Sequence, residues 1–248
     1  MKRASIVFFT AALLCLILTL CSCGSPENVP AAESPLSSAE ASEDKTGKRD
    51  HTPHCLVPEA SGVKTFGNSV TQVDASHLSE GYLMLCYRGT NTKVKFQLTG
   101  PDQITYTYDL NSEDFETFPL SSGSGTYHLA VYENITGKQY ATVFSLDLEP
   151  DITNTFGPYL YPNQYVKFTK DSEAVKLAAS LAESADDDLD VISAVYTYVT
   201  THITYDYEKA QTVQSGYLPD IDGTLASGKG ICLDFASLMV SMLRSQNI

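Results

Sequence analysis

The sequence has few basic residues. Its 248 residues include 16 lysines and arginines against 30 aspartates and glutamates, a formal net charge of −14. Proteins that bind nucleic acid through its phosphates need lysine and arginine clustered on one face, and no such cluster occurs in this chain. We therefore expect no nucleic-acid partner.

The chain also lacks an apolar run long enough to be a stable membrane anchor by itself. Its apolar run, residues 4–20, follows Met1-Lys2-Arg3 in the manner of an export signal. Residues 20–24 read Leu-Cys-Ser-Cys-Gly and resemble a bacterial lipobox. The resemblance implies a signal peptide over residues 1–22 and a lipid on Cys23, which would anchor the protein at the extracellular face of the cell membrane. An ordinary signal peptide or one membrane-spanning helix is the alternative.

Large apolar side chains are almost absent from residues 23–54, so this stretch is predicted to be a disordered linker. About 190 residues remain, enough for one large or two modest domains.

No CxxC motif is present, and we expect neither a metal nor a cofactor. Three of the six cysteines lie at or before residue 23, and the others are Cys55, Cys86 and Cys232. An odd number outside the cytoplasm suggests one disulfide and one free thiol. A Cys55–Cys86 bridge would leave Cys232 free, and two unpaired thiols are an equally good interpretation.

The middle of the chain has the period of β-strands. In residues 93–98 the apolar Val94, Phe96 and Leu98 alternate with polar residues, which sends the two sets to opposite faces of a strand. Further strand patterns occupy residues 83–87, 104–110, 127–132 and 140–148, with turn-forming residues between several of them. This predicts an antiparallel β-sandwich over 55–152, resembling immunoglobulin-like or fibronectin-like modules.

Helical patterns follow the strands. One begins near Val175, and a second follows three aspartates at 186–188, which we interpret as a helix cap rather than a calcium site. Residues 191–204 are rich in β-branched side chains and are ambiguous between helix and strand. Residues 209–223 have neither period and are predicted to form a loop.

Cys232 stands where two glycines give way to a helical pattern. Residues 228–236 read Gly-Lys-Gly-Ile-Cys-Leu-Asp-Phe-Ala, and apolar residues then recur at helical spacing. Unpaired N–H groups and the macrodipole at a helix start favour an anion, so this thiol should ionise more easily than a free one. That is the environment of a nucleophile, and a small buried helix-capping residue is the alternative.

With Tyr205-Asp206-Tyr207 and residues 224–227 before it, this segment resembles the transglutaminase-like family, whose core is papain-like. The resemblance covers roughly 160–248 and implies a domain over 153–248 with Cys232 as nucleophile. In that family a histidine and an aspartate follow the cysteine on strands. The last histidine here is His202, upstream of Cys232. We therefore expect an incomplete domain without the matching pair, inactive in this form.

The resemblance implies that the Cys232 thiolate attacks a glutamine carboxamide or a peptide carbonyl and forms a thioester, which an amine or water resolves. The expected partner is a protein or peptide at the cell surface, and Tyr205, Tyr207 and Tyr217 are candidates to line the substrate cleft. Two alternatives stay open: a non-catalytic surface binding or assembly protein, and a papain-type cysteine peptidase. The predicted fold class is α+β.

Overall fold

The computed structural model describes residues 46–110 and 112–248. The predicted signal peptide, Cys23 and most of the predicted linker lie outside the described residues. Eight strands come first: β1 (Thr65–Gly67), β2 (Thr71–Asp74), β3 (Tyr82–Tyr87), β4 (Val94–Thr99), β5 (Thr105–Leu110), β6 (Glu116–Pro119), β7 (Tyr127–Thr136) and β8 (Gln139–Leu148).

These strands form two antiparallel sheets with the orders β1-β2-β3-β6 and β5-β4-β7-β8. The alternation of β4 buries Val94, Phe96 and Leu98 between the sheets. Phe118 of the first sheet meets the second edge-on, with its ring centroid 4.6 Å from that of Phe96 and 4.9 Å from that of Tyr108. Burial of such aromatic and aliphatic side chains is the main force that holds two sheets together.

A short 3₁₀ helix, Leu78–Glu80, lies between β2 and β3. After β8 come α1 (Gly157–Leu160), α2 (Glu173–Ala182), α3 (Asp188–His202), β9 (Thr204–Tyr205), α4 (Tyr207–Thr212), α5 (Ile221–Ser227), β10 (Lys229–Gly230) and α6 (Cys232–Arg244). A second core forms among α2, α3, α5 and α6, and includes Val175, Val195, Ile221, Leu238 and Met242. Sheets followed by a helical region confirm the predicted α+β class.

The aspartates at 186–188 begin α3 as predicted, because the Asp187 carboxylate accepts hydrogen bonds from the N–H groups of Leu189 and Asp190. The ambiguous stretch 191–204 is helical as far as His202. The predicted loop over 209–223 is wrong in part, since it includes the end of α4 and the start of α5. Both helices are too short to show a clear period.

The helix that starts at Cys232 is fixed to the segment between the two cores. The Ser237 hydroxyl donates to the carbonyl oxygen of Tyr165 at 2.7 Å, and Arg244 Nη1 donates to that of Tyr161 at 2.7 Å. Burial lowers the pKa of the Arg244 guanidinium to about 10, so it stays charged at neutral pH. Because α6 is held along its length, its first turn has a defined position.

Residues 47–54 run along the helical region, and we call them the N-terminal strap. Backbone N–H groups of Gly47, Arg49 and His54 donate to the carbonyls of Glu183, Ala185 and Ser245. Composition predicted a disordered linker up to residue 54. Hydrogen bonds to the ends of helices, rather than apolar burial, give these last residues a defined path.

Cys55 packs against the helical core and Cys86 lies buried in β3. Both are free thiols, as is Cys232. Of the two interpretations, the structure therefore has the unpaired thiols and not the Cys55–Cys86 disulfide. Among the described residues, none of the helices is both long enough and apolar enough to span a membrane.

Candidate active site

Cys232 is the first residue of α6, and its side chain is exposed. The residue before it, Ile231, has an extended backbone and no side-chain acceptor with which to cap the helix. Asp234 supplies the acceptor instead, because its Oδ2 receives the Ile231 N–H at 2.8 Å. This is the acidic half of a capping box. The helix start is thus held by a side chain inside the first turn.

The Asp234 carboxylate is buried, with none of its side chain exposed, and two other groups complete its coordination. Lys209 Nζ donates to Oδ2 at 2.7 Å and the Tyr217 hydroxyl donates to Oδ1 at 2.5 Å. Lys209 Nζ also donates to the Tyr217 hydroxyl oxygen at 2.7 Å. The three side chains therefore close a hydrogen-bonded ring, which we call the Asp234 triad.

Electrostatics in the triad favour a charged pair. Burial acts to raise the pKa of Asp234, but hydrogen bonds from Lys209, Tyr217 and the Ile231 N–H outweigh it and lower that pKa below its usual value. Burial likewise acts to lower the pKa of Lys209, and the bonds to Asp234 and Tyr217 raise it instead. The pKa of Tyr217 is raised by burial and by the neighbouring carboxylate, so its hydroxyl keeps its proton.

Two short strands bring the triad to the head of α6. β9 pairs in parallel with β10, through bonds of 2.9 Å from the Thr204 and Asp206 N–H groups to the carbonyls of Gly228 and Gly230. Asp206 then caps α4 by accepting the Lys209 N–H at 2.8 Å. A Cβ on Gly230 would lie only 2.7 Å from the Asp234 Cβ. Gly230 thus permits the close approach of β10 to α6.

The three candidate tyrosines divide into two groups. The rings of Tyr205 and Tyr207 are exposed and meet edge to face, with centroids 5.0 Å apart. Tyr205 pairs with Gly230 in the β9–β10 register, and its ring lies 6.5 Å from that of Phe235. Tyr217 instead has its hydroxyl inside the Asp234 triad. Whether Tyr205 and Tyr207 line a substrate cleft stays a prediction.

His202 lies at the end of α3. Its ring stacks on Tyr198, with centroids 4.1 Å apart, and Nδ1 is within hydrogen-bond distance of the Tyr198 carbonyl and the Thr201 hydroxyl. His202 and Tyr198 border one side of a surface groove of about 670 Å³ that extends toward Asp186 and Asp190, whereas Cys232 is not among the groove's lining residues. Of the histidines that the structure describes, none is hydrogen-bonded to Cys232.

Within the described ranges there is also no group of three His, Cys, Asp or Glu side chains arranged to hold a metal ion. Lys209 and Asp234 were missed by sequence reasoning. An acid in the first turn of a predicted helix is a recognisable capping signal, but the lysine 25 residues earlier has no pattern that connects it to Asp234.

Comparison with known proteins bears on the sequence around this site. Residues 175–248 match the sequence model of the transglutaminase-like superfamily. No curated protein and no solved structure matches the chain. The region that contains Cys232 and the Asp234 triad is therefore transglutaminase-like, which confirms the resemblance seen in the sequence.

Proposed function

We propose that the protein is a lipid-anchored surface protein whose transglutaminase-like region uses Cys232 as a nucleophile for acyl transfer or hydrolysis. The observation that carries the proposal is an exposed thiol on the first residue of α6, within the segment that matches the superfamily. A cysteine with a purely structural role as a helix cap would be expected to be buried, whereas Cys232 is exposed. The substrate would be a protein or peptide that offers a glutamine carboxamide or a backbone carbonyl.

In the proposed reaction the Cys232 thiolate adds to the acyl carbon, and the carbon–nitrogen bond breaks to leave a thioester. The Cys232 N–H, at the unpaired start of the helix, is suited to stabilise the developing oxyanion. Ammonia or an amine leaves only after it gains a proton. A general acid contributes about 10²–10⁴-fold to such a step, and the described histidines offer none bonded to the thiol.

This difference suggests an experiment with an activated ester. The nitrophenolate of p-nitrophenyl acetate leaves without a proton, so acylation of Cys232 should occur even where release of ammonia does not. We expect the chain to release about one nitrophenolate per molecule in a burst, with the acetyl group mapped to Cys232. Incorporation of an amine into glutamine peptides should stay at background.

The control is Cys232→Ala, which should abolish the burst. Equal acetylation of the chain with and without Cys232, or acetyl mapped to Cys55 or Cys86, would contradict a nucleophilic role. A steady release of ammonia from glutamine peptides that requires Cys232 would instead show that a proton donor is present, and His202 would be the first residue to replace.

The lipid anchor rests on a separate observation, the Leu-Cys-Ser-Cys-Gly sequence at 20–24. Labelled palmitate should enter the wild-type protein in a bacterial host and should not enter Cys23→Ala. Cys21→Ala is the matched control and should label normally, since Cys21 would leave with the signal peptide. Equal labelling of wild type and Cys23→Ala would contradict the anchor.

A further inference from the structure

Asp234 places a negative charge in the first turn of α6, two residues after Cys232. Its side chain is fully buried, so water does not screen it. A carboxylate in the same helical turn disfavours a second negative charge on the thiol, although the helix start favours one. Without compensation, the residue that caps the helix would oppose ionisation of the residue that begins it.

The compensation comes from α4 and the loop after it. Lys209 Nζ lies 2.7 Å from Asp234 Oδ2 and brings a positive charge to it. The Lys209 side chain is 30% exposed. The Tyr217 hydroxyl donates to the other carboxylate oxygen and keeps its own proton. Lys209 therefore neutralises the carboxylate, while Tyr217 binds it without a change of charge.

Among the described residues, Lys209 is the charged side chain that contacts the Asp234 carboxylate, and Lys229 of β10 is exposed. β10 presents the backbone of Gly230, and α5 presents the methyl group of Thr224, to the same space beside Asp234. Asp206 contacts the Lys209 backbone N–H rather than its ammonium. The charge of Asp234 is thus balanced by a lysine from a different element.

We propose that Asp234, Lys209 and Tyr217 are positioning residues for Cys232. Asp234 holds the Ile231 N–H and so fixes the start of the helix, and the Lys209 ammonium cancels the field of Asp234 at the thiol. The proposal rests on the proposed role of Cys232 as the nucleophile. It deepens that role by identifying what sets the reactivity of the thiol in this chain.

The sign of two charge substitutions tests the proposal. Lys209→Met removes the cation and leaves the carboxylate, so the pH at which Cys232 reaches half its maximal rate of alkylation by iodoacetamide should rise. Asp234→Asn keeps a hydrogen-bonding side chain and leaves the cation, so this pH should fall. At neutral pH we expect alkylation to be about threefold to tenfold slower in the first variant and faster by a similar factor in the second.

The double variant Lys209→Met/Asp234→Asn should return toward the wild-type rate, and Lys209→Arg, which keeps the charge, should stay close to it. Tyr217→Phe changes no charge and should shift the profile less than either charge variant. A general loosening of the fold would change the rate in the same direction in every variant. Changes of the same sign in Lys209→Met and Asp234→Asn would therefore overturn the proposal.

Far-UV circular dichroism and the alkylation rate of Cys55, which packs against the helical core, show whether each variant is folded. If Lys209→Met does not fold, Tyr217→Phe and Asp234→Asn still decide the matter. Faster alkylation in Asp234→Asn with a nearly unchanged rate in Tyr217→Phe supports the proposal, and equal acceleration in both contradicts it. Failure of the positioning proposal stays distinct from failure of the proposed function. Opposite signs without ester acylation would refute acyl transfer alone, and acylation without opposite signs would refute positioning alone.

Discussion

Cys232 and Asp234 share the first turn of α6 but differ in solvent exposure and in hydrogen bonding. The thiol is exposed, whereas the carboxylate is buried and binds three donors. An exposed residue is free to meet a substrate, while a buried charged residue is kept only where its partners satisfy it. At the residue scale, the site is therefore a reactive group carried on a fixed support.

The lowered pKa of Asp234 makes a pH-dependent contribution to stability. A carboxyl whose pKa is lower in the folded state stabilises the fold above its unfolded value, near 3.9, and loses that contribution as the pH falls through the folded value. We expect Asp234→Asn to cost about 1–3 kcal/mol of unfolding free energy at pH 7, and much less in acid below the folded pKa.

Urea unfolding of both proteins across this range of pH measures the difference. Asp147→Asn is a control, because the Asp147 side chain is 69% exposed and pairs with His128 at the surface. A cost for Asp234→Asn that is constant with pH would mean that the carboxylate charge does not stabilise the fold.

Gly230→Ala should destabilise the protein by about 1–3 kcal/mol, because its new Cβ would press on the Asp234 Cβ, part of a rigid helix. The neighbouring Lys229 is exposed, so Lys229→Ala should leave the stability nearly unchanged. Thermal unfolding of the two variants compares them. Equal melting temperatures would show that β10 does not approach α6 as closely as described.

At the scale of elements, the N-terminal strap connects the chain before the sandwich to the far end of α6. Arg49 is its main contact, with Nε 2.6 Å from Asp188 Oδ1 and Nη2 2.5 Å from the Gln246 carbonyl oxygen. Gln246 in turn donates to the His51 carbonyl at 3.2 Å. The strap thus contacts the start of α3 and the residues after α6 at once.

We expect Arg49→Ala to lower the unfolding free energy by about 1–3 kcal/mol, since a half-buried cation and several of its hydrogen bonds are lost. Cleavage by trypsin after Lys48 should also become faster. Lys48→Ala is the matched control for stability, because Lys48 is exposed and its bond to the helical region comes from its backbone N–H. Unchanged stability in Arg49→Ala would mean that the strap is not held by this side chain.

Sequence predicted the elements with a clear period and missed the others. Strict alternation identified β4, and glycines before an apolar stripe located the start of α6 at Cys232. The strands β1 and β6 have only three and four residues, too few for a period of two to stand out. Lys209, Tyr217 and Arg49 act through contacts between distant parts of the chain, which local patterns do not encode.

At the scale of the whole molecule, the sandwich and the helical region each have a core of their own. We therefore expect a fragment of residues 55–152 to fold alone, with a circular dichroism spectrum rich in sheet and poor in helix. Its stability should be below that of the intact chain, because Tyr165 packs on the sandwich core from outside the fragment. A mainly helical or unfolded spectrum would contradict an independent sandwich.

The central claim is that Cys232 is a reactive nucleophile rather than a structural cysteine, and the rates at which the three thiols are alkylated in the native protein test it most directly. Burial raises the pKa of the thiols of Cys55 and Cys86. At neutral pH, a rise of one in the pKa of a thiol lowers its thiolate fraction about tenfold. With limiting iodoacetamide at pH 7, peptide mapping should find Cys232 alkylated at least about tenfold faster than either. Alkylation of Cys232 no faster than that of the buried Cys86 would contradict the account.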